Sequence, residues 1–448
     1  MTSSDKLFAH TSPGKIFLLA AIPGAVSMLA SSLYQTLDGM FVGQGLGSTA
    51  FAAINLAMPF VIINFAVADL IGVGSSVPIS ISLGQGRRDD ADQIFSSSVL
   101  MIIAASTVLG ALMFLLAPAL MTLMGAEGDF HRLATQYLRV YAAFSPVTTL
   151  VFATDNYMRI CGKTQSSMWL NIFMSCCSAT LEFLFIIVLG GGVWAAALGT
   201  CLSMAISLAI AIMPFILGRR NLRFVRPRIT LAMVRRILAN GTPNFLNNIA
   251  GRITSIVMNM MLVRMGGQDA VSVYGTLMYA DGLVQPVMYG MVDSLQPAIG
   301  YNWGAGKKSR VRAIEKCAIA AAVSVCAISF LVIHGIPELV VRIFVDESQT
   351  ALLAMAIPAL TVFSYAYLTR WISFTTQSFM LAIEKPHYAA AISISTACIF
   401  PLALLFLLQG FGLDGIWFNF AGSNILAAIL SLLIVAKVWK EIRGKDLS

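Results

Sequence analysis

The chain has 448 residues, of which 58% are hydrophobic and only 11% are charged, and its formal net charge is +8. Soluble domains carry about 25% charged residues. This composition therefore excludes a water-soluble domain and indicates an integral membrane protein.

Long apolar runs recur along the whole chain, each near or above the roughly 20 residues that cross a bilayer as a helix. They are centred at 16–43, 50–83, 94–124, 131–158, 166–189, 193–217, 231–265, 270–300, 312–343, 349–382, 387–408 and 412–440. The alternation of apolar and polar residues that is typical of membrane barrels is absent. The predicted fold class is all-α, with twelve transmembrane helices, here called spans 1 to 12.

The positive charges support this count of spans. If the N-terminus lies inside, most of the 29 Lys and Arg residues fall on inside segments, and the outside loops keep only Arg132, Arg264 and Arg342. Cytoplasmic loops of membrane proteins carry such an excess. Both termini are therefore predicted to be cytoplasmic, and the charge of +8 needs no nucleic-acid partner.

The sequence repeats weakly at a constant offset of nearly half its length. Pro23 aligns with Pro243, and at the same offset the motif Gly84-Gln-Gly-Arg-Arg88 aligns with Gly304-Ala-Gly-Lys-Lys308. This predicts an N-terminal six-helix bundle (1–218), a cytoplasmic linker (219–230) and a C-terminal six-helix bundle (231–448). Since each half has an even number of spans, the two repeats run parallel. Such paired bundles are typical of secondary transporters.

Catalytic chemistry is not indicated. The chain contains no nucleophile–base pair, phosphate-binding loop or zinc-type cysteine pair, so we expect no enzyme activity, no cofactor and no metal centre beyond a coupling ion. The seven cysteines fall mostly within predicted helices and suggest no disulfide framework.

Charged residues within the spans are the strongest functional candidates, since each costs about 2.5–3.5 kcal/mol at a helix centre. The acids are Asp38, Asp69, Asp155, Glu182, Asp281 and Asp293, and the bases are Arg139, Arg252 and Arg370. The alternative is structural, in which the acids pair with arginines or cap helices. Asp155 in particular could pair with Arg159, one turn on.

Three polar residues of the first half share one predicted depth. Asp38 lies near the outer end of span 1, Glu182 in the outer third of span 5, and Thr200 about two turns into span 6. Two carboxyls close together in a low dielectric can hold H⁺, or Na⁺ with the help of hydroxyl and backbone oxygens. Pro23 removes a helical hydrogen bond in span 1 and permits a bend, which makes it the predicted gating residue.

At these residues the chain resembles the multidrug and toxic compound extrusion (MATE) family. The resemblance spans the whole chain and is carried by Leu37-Asp-Gly-Met-Phe-Val-Gly43, Asp155-Asn-Tyr-Met-Arg159, Glu182 with Gly192-Val-Trp-Ala-Ala-Ala197, and Gln296-Pro297 with Gly300-Tyr-Asn-Trp-Gly-Ala-Gly306. It implies two six-helix bundles that export organic compounds in exchange for H⁺ or Na⁺ by alternating access. The cation-coupling site of the family falls on Asp38, Glu182, Thr200, Asp155 and Asn156.

The chain departs from the family pattern at four points. Glu182 replaces the usual Asp, Ser178 stands where an Asn is typical, Gly251 occupies the position of a second-bundle acid, and Asp155 stands where many relatives carry Asn. The sequence therefore leaves open whether H⁺ or Na⁺ is the coupling ion, and whether the second bundle has an ion site of its own.

A substrate cavity is predicted from residues of span 8. Asp281, Tyr279, Met288 and Tyr289 could meet a bound cation, because anionic and π-rich surfaces attract lipophilic cations.

The predicted function is a monomeric secondary active multidrug efflux transporter in the plasma (inner) membrane of a prokaryote. Its partners would be small organic substrates and the lipid bilayer. Two alternatives remain: a flippase for lipid-linked sugars, and a channel or non-transporting receptor. The flippase would need a strongly cationic cavity, for which only Arg139, Arg252 and Arg370 are available within the spans.

Overall fold

The computed structural model describes residues 5–345 and 349–443, and this part of the chain is predominantly helical, with no β-strand. The first half contains α1 (Pro13–Leu46), α2 (Ser48–Gly84), α3 (Arg88–Leu123), α4 (Gly128–Ala143), α5 (Ser145–Ile160), α6 (Thr164–Glu182) and α7 (Val193–Ile216). The second half contains α8 (Leu231–Asp293), α9 (Gln296–Gly304), α10 (Lys308–Gly335), α11 (Pro337–Arg342), α12 (Thr350–Ser364), α13 (Tyr367–Ala382), α14 (Pro386–Ile394), α15 (Phe400–Leu408) and α16 (Gly412–Ile442). The predicted all-α class is confirmed.

Several predicted spans are broken helices. Span 4 is divided into α4 and α5 at Phe144, and span 10 bends by 50° between α12 and α13. Helix α8 contains spans 7 and 8, which meet at Gly267, whose φ of 64° lies in the left-handed region that suits glycine. When these breaks are taken into account, the described residues form twelve segments that match the predicted spans.

Length and apolar composition alone identify fewer membrane helices. Seven described helices or merged helices are long and apolar enough to cross a membrane, or eight if the bent pair α12–α13 is one span. The difference arises in part because α4 and α5 have only 16 residues each, too few to cross a bilayer alone, and because the apolar segment Pro386–Ile442 contains two spans.

The chain forms two compact units. Among the described residues, the first unit contains 5–11 and Val26–Gly241, and the second contains Ser12–Ala25, 242–345 and 349–443. The first turns of α1 thus pack within the second unit, and the first turns of α8 pack within the first. The sequence repeat does not predict this exchange, because it assigns the whole of 1–218 to one half.

Close helix crossings hold both exchanged segments in place. In the first unit, a Cβ at Gly241 would lie 1.8 Å from the carbonyl oxygen of Leu70, and in the second a Cβ at Gly24 would lie 2.1 Å from that of Gly290. Leu70 and Gly290 are equivalent positions of the sequence repeat, since the same offset relates Pro23 to Pro243. The two crossings therefore share one equivalent position, whereas their glycines differ by about one helical turn, since the same offset relates Gly241 to Ala21 and not to Gly24.

Pro23 lies inside α1, two residues before the point where the chain passes from the second unit to the first. Its counterpart Pro243 lies inside α8, two residues beyond the other crossing point at Gly241. A proline at each crossing point is the position from which a bend would redirect the rest of the helix. The gating role of Pro23 stays a prediction.

We expect Gly241→Ala to destabilise the protein by about 1–3 kcal/mol or more, because the added methyl group overlaps a backbone oxygen that cannot turn away. Thermal unfolding of the purified protein in detergent measures this loss. The matched control is Gly251→Ala on the same helix, where the new Cβ meets nothing within 4 Å. Equal unfolding temperatures for the two variants would contradict the proposed crossing.

Candidate functional site

Glu182 is the last residue of α6 and is fully buried, with 0% of its surface exposed. The chain continues in a π-helical turn, Phe183–Val188, before α7 begins. Such turns are rare, and they are frequently found at functional sites. Glu182 is therefore a fully buried acid beside an irregular helical turn.

Three hydroxyl groups converge on one oxygen of Glu182. Thr200 Oγ1 donates to Oε1 over 2.6 Å, Ser178 Oγ donates over 3.2 Å, and Tyr34 Oη is the third donor. The hydroxyls of Tyr34 and Ser178 also lie 2.6 Å apart. Several donors on one oxygen favour the charged carboxylate, since hydrogen bonds to an ionised acceptor are the stronger ones.

The other oxygen, Oε2, is buried and has no hydrogen-bond partner among the described residues. Asp38, which is partly buried, is the acidic neighbour whose charge acts on Glu182. A buried polar atom without a partner is costly, and in a native structure it requires an explanation. A proton or a small cation taken up beside Asp38 would satisfy this oxygen.

Two buried tyrosines of α4 lie near Asp38. Tyr137 and Tyr141 are buried, their rings are 5.1 Å apart, and both interact electrostatically with Asp38. Their rings keep the surroundings of the acids apolar, which strengthens every electrostatic interaction in the site.

The structure brings together Asp38, Glu182 and Thr200, as the common depth of these residues in the sequence suggests. Sequence reasoning missed Tyr34, and it noted Ser178 only as a departure from the family. Each precedes one of the acids by one helical turn, Tyr34 before Asp38 and Ser178 before Glu182, so the i,i+4 spacing was an available signal.

Asp155 and Asn156 lie away from the Glu182 site. Asp155 forms an ion pair with Arg159 over 2.9 Å and accepts hydrogen bonds from Ser167 (2.5 Å) and Asn171 (2.9 Å). Ser167 and Glu182 stand near opposite ends of α6, about 22 Å apart along the helix axis.

The structure thus shows the Asp155–Arg159 pair that the sequence left open as an alternative. Asn156 donates to the Phe152 carbonyl oxygen of its own helix, over 3.3 Å. A coupling role for Asp155 and Asn156 stays a prediction without support from this geometry.

A second buried acid lies in the second unit. Both oxygens of Asp281 are bound by Arg370, over 2.5 and 3.0 Å, and Tyr367 Oη donates to Oδ1 over 2.8 Å. Asp281 is 6% exposed, so this is a buried, bidentate ion pair between α8 and α13. The anion that was predicted to attract a substrate cation already has an internal cation.

The other predicted substrate residues face different neighbours. Tyr279 is exposed and stacks on Phe344, whereas Met288 is buried with its sulfur 3.7 Å from that of Cys326. Tyr289 packs edge-on against a phenylalanine of α13. The substrate role of Asp281, Tyr279, Met288 and Tyr289 stays a prediction, and these contacts do not gather the four around one ligand.

The described residues contain no group of three or more His, Cys, Asp and Glu side chains that could hold a metal ion. A Na⁺ ion at Asp38 and Glu182 would not need such a cluster, because two carboxyl groups and nearby hydroxyl oxygens could bind it. Hard oxygen ligands suit such a cation. The donor set therefore fits either H⁺ or Na⁺.

Gly199 fixes the position of Glu182. A Cβ at Gly199 would lie 3.1 Å from both Cγ and the backbone nitrogen of Glu182, which is tighter than ordinary packing. We expect Gly199→Ala to shift the carboxylate by a few tenths of an ångström and to weaken cation binding at this site severalfold, since site geometry tolerates little displacement. Gly275→Ala, whose Cβ meets nothing within 4 Å, is the control in the same titration of the purified protein with H⁺ and Na⁺. Unchanged cation binding by Gly199→Ala would contradict this positioning role.

The two halves of the chain each match one known family unit. The family model MatE matches twice, over residues 23–184 and 243–407, and the two matches begin at the aligned prolines Pro23 and Pro243. The chain belongs to the MatE family. The resemblance inferred from the motifs is confirmed, and each half of the repeat corresponds to one copy of the family unit.

Relatives of this MatE protein align along almost the whole chain. It is 24% identical over 430 residues to the multidrug export protein MepA of Staphylococcus haemolyticus, covering 96% of this chain and 94% of that one. It is 25% identical over 427 residues to MepA of Staphylococcus aureus, with coverages of 94% and 93%.

Two solved MATE structures superpose on 99% of the chain, and 99% of each is covered in return. One is a MATE in complex with MaL6, with a TM-score of 0.92 and 22% identity, and the other is an outward-facing MATE multidrug resistance transporter, with a TM-score of 0.90 and 22% identity. At this identity the likeness shows the fold, which is that of a MatE protein.

Proposed function

We propose that this MatE protein is a secondary active multidrug exporter that moves organic compounds, often cationic ones, out of the cell in exchange for H⁺ or Na⁺. It acts as a monomer in the plasma membrane of a prokaryote, with both termini in the cytoplasm. The names of the relatives support multidrug export as the broad activity. The coupling step is assigned to the first unit.

One observation carries the coupling assignment. Glu182 is fully buried, three hydroxyls converge on its Oε1, and its Oε2 has no partner among the described residues while Asp38 lies beside it. This arrangement holds a carboxylate ready for one more positive charge. Binding of H⁺ or Na⁺ removes the charge repulsion between the two acids, and loss of the ion restores it.

Ion occupancy and helix geometry are linked through α1. Tyr34 and Asp38 are on this helix, so filling or emptying the Glu182 site changes the forces on its outer half. Pro23 lies about three turns before Tyr34 and permits a bend. We assign the ion-bound form to substrate release outside, and loss of the ion inside to the uptake of new substrate.

The driving force for export depends on how many H⁺ are exchanged for each substrate molecule. Exchange of one H⁺ for one monovalent cation is electroneutral, so only the concentration gradient of H⁺ drives it. A second H⁺ would add the membrane potential, which is worth about 2.3 kcal/mol per charge at 100 mV. That is more than a tenfold gain in the substrate gradient.

The flippase alternative has less support. It requires several cationic side chains that line one buried cavity, but Arg370 is bound by Asp281, and Arg139 and Arg252 are both exposed. We therefore retain the drug–cation exchanger.

Ethidium export from proteoliposomes tests the proposal. We expect export driven by an imposed ΔpH or by an imposed Na⁺ gradient, and we expect Asp38→Asn to abolish it because the asparagine cannot exchange a cation. Asp129→Asn, which removes an exposed acid of α4, is the matched control. Normal export by Asp38→Asn would refute the assignment of the coupling site.

A further inference from the structure

The segment 219–230, here called the connector, has no regular secondary structure and is held against the first turns of α3. Five hydrogen bonds join its backbone to polar side chains of that helix. They run from Arg223 N to Asp92 Oδ1 (2.9 Å), from Val225 N to Ser96 Oγ (2.9 Å), from Arg228 N to Gln93 Oε1 (3.1 Å), from Gln93 Nε2 to the Arg226 carbonyl oxygen (3.1 Å), and from Ser96 Oγ to the Arg223 carbonyl oxygen (3.5 Å). The connector thus has a fixed course over the end of the helix bundle.

Apolar contacts also hold the connector against the first unit. Leu222 is fully buried, and the ring of Phe224 lies 4.8 Å from that of Phe95. Backbone groups of the connector, including Leu222, also contact Cys161, and burial raises the pKa of this thiol to about 11. The connector is therefore part of the folded first unit.

Four arginines of the connector are exposed: Arg219, Arg223, Arg226 and Arg228. The charge of Arg223 also acts on Asp92 of α3. Exposed apolar side chains lie among and just beyond them, namely Phe224 (40%), Ile229 (47%) and Leu231 (66%). Cationic and large apolar side chains that alternate at a membrane boundary are typical of surfaces that contact anionic lipid.

A cavity of about 260 Å³ lies next to the connector in the first unit. Its walls combine the apolar side chains of Pro78, Ile94, Ala232, Met233 and Ile237 with the polar or charged side chains of Asp90, Gln93 and Arg236. The apolar part of these walls suits an acyl chain better than free phosphate, and a lipid places such chains beside its phosphate. The surface therefore combines the two chemistries of a phospholipid.

We propose that the connector is a docking site for an anionic phospholipid. The exposed arginines bind the headgroup, for which the guanidinium fork is well suited. Phe224, Ile229, Leu231 and the adjacent cavity take the upper part of the acyl chains. This proposal is independent of the coupling site and of the transported substrate.

Native mass spectrometry of the full chain in detergent tests the proposal, with phosphatidylglycerol and phosphatidylcholine as titrants. We expect the wild type to prefer phosphatidylglycerol. The triple variant Arg223→Gln/Arg226→Gln/Arg228→Gln should reduce that preference by roughly 10- to 100-fold, because each arginine near an anionic surface contributes about a fivefold effect. Inorganic phosphate at millimolar concentration should not displace the lipid.

The control removes three exposed cations elsewhere, in Lys6→Gln/Lys15→Gln/Lys440→Gln, and should keep the preference. Cys161 should stay protected from N-ethylmaleimide in the triple variant, which verifies that the connector is still seated. The proposal is overturned if the seated triple variant keeps its preference, if the control variant loses it equally, or if phosphate displaces the lipid.

Discussion

Glu182→Gln is expected to reduce gradient-driven export strongly while leaving the protein folded. The amide keeps the size of the side chain and can still accept hydrogen bonds from Tyr34, Ser178 and Thr200. It cannot gain and lose a positive charge, so ion and substrate binding become uncoupled. Coupling free energies between sites are typically about 1–3 kcal/mol, so we expect export to fall by roughly 5- to 150-fold.

The measurement is initial-rate ethidium export in proteoliposomes, normalised to the amount of folded protein. Glu127→Gln makes the same chemical change at an exposed position and should export like the wild type. If Glu182→Gln exported at the wild-type rate under the same gradient, the buried carboxylate could not be the coupling group.

Arg370→Met is expected to destabilise the second unit strongly. It leaves the Asp281 carboxylate buried without its cation, beside the Tyr367 hydroxyl, and breaking such a pair typically costs about 3–5 kcal/mol. The double variant Asp281→Leu/Arg370→Met removes both charges together. Because apolar replacement of a buried pair is often neutral, we expect the double variant to recover most of the loss.

Unfolding in mixed detergent–SDS micelles measures the free energy of unfolding of the wild type, Arg370→Met, Asp281→Leu and the double variant. These four values form one double-mutant cycle. Arg342→Met, which removes an exposed arginine paired with Glu338, should change stability by less than about 1 kcal/mol. A double variant that is as unstable as the sum of the single variants would show that Asp281 and Arg370 do not depend on one another.

The sequence predicts the helices well because the bilayer imposes their length. Apolar runs and the placement of arginines are enough to locate twelve spans, and the internal repeat divides them into halves. The breaks are harder to predict. Gly267 lies where two spans fuse into α8, and nothing local distinguishes it from Gly266 beside it.

The candidate site was predictable where helical periodicity applies. Depth along the spans brings Asp38, Glu182 and Thr200 to one level, and the pair Asp155–Arg159 follows from i,i+4 spacing. Asp281 and Arg370 lie far apart in the sequence on different helices, so their pairing depends on tertiary packing that a single sequence does not reveal. This is why the sequence predicts Asp281 as a substrate anion, whereas the structure shows it in an internal ion pair.

The exchange of helix starts between the units is also invisible in the sequence. The repeat aligns Leu70 with Gly290 but gives no sign that each lies against a helix start from the other half of the chain. Only backbone contacts at Gly24 and Gly241 identify the partners. Any bend at Pro23 then acts at the point where α1 passes from one unit to the other.

Calorimetry of substrate binding tests the central claim most directly. Tetraphenylphosphonium would be titrated into the purified wild type and Glu182→Gln, in two buffers of different ionisation enthalpy and with and without Na⁺. We predict that the wild type releases about one proton per bound substrate, or binds substrate more weakly when Na⁺ is present, and that Glu182→Gln shows neither effect. Substrate binding to the wild type without proton release and without dependence on Na⁺ would contradict an exchange of cation and substrate through Glu182.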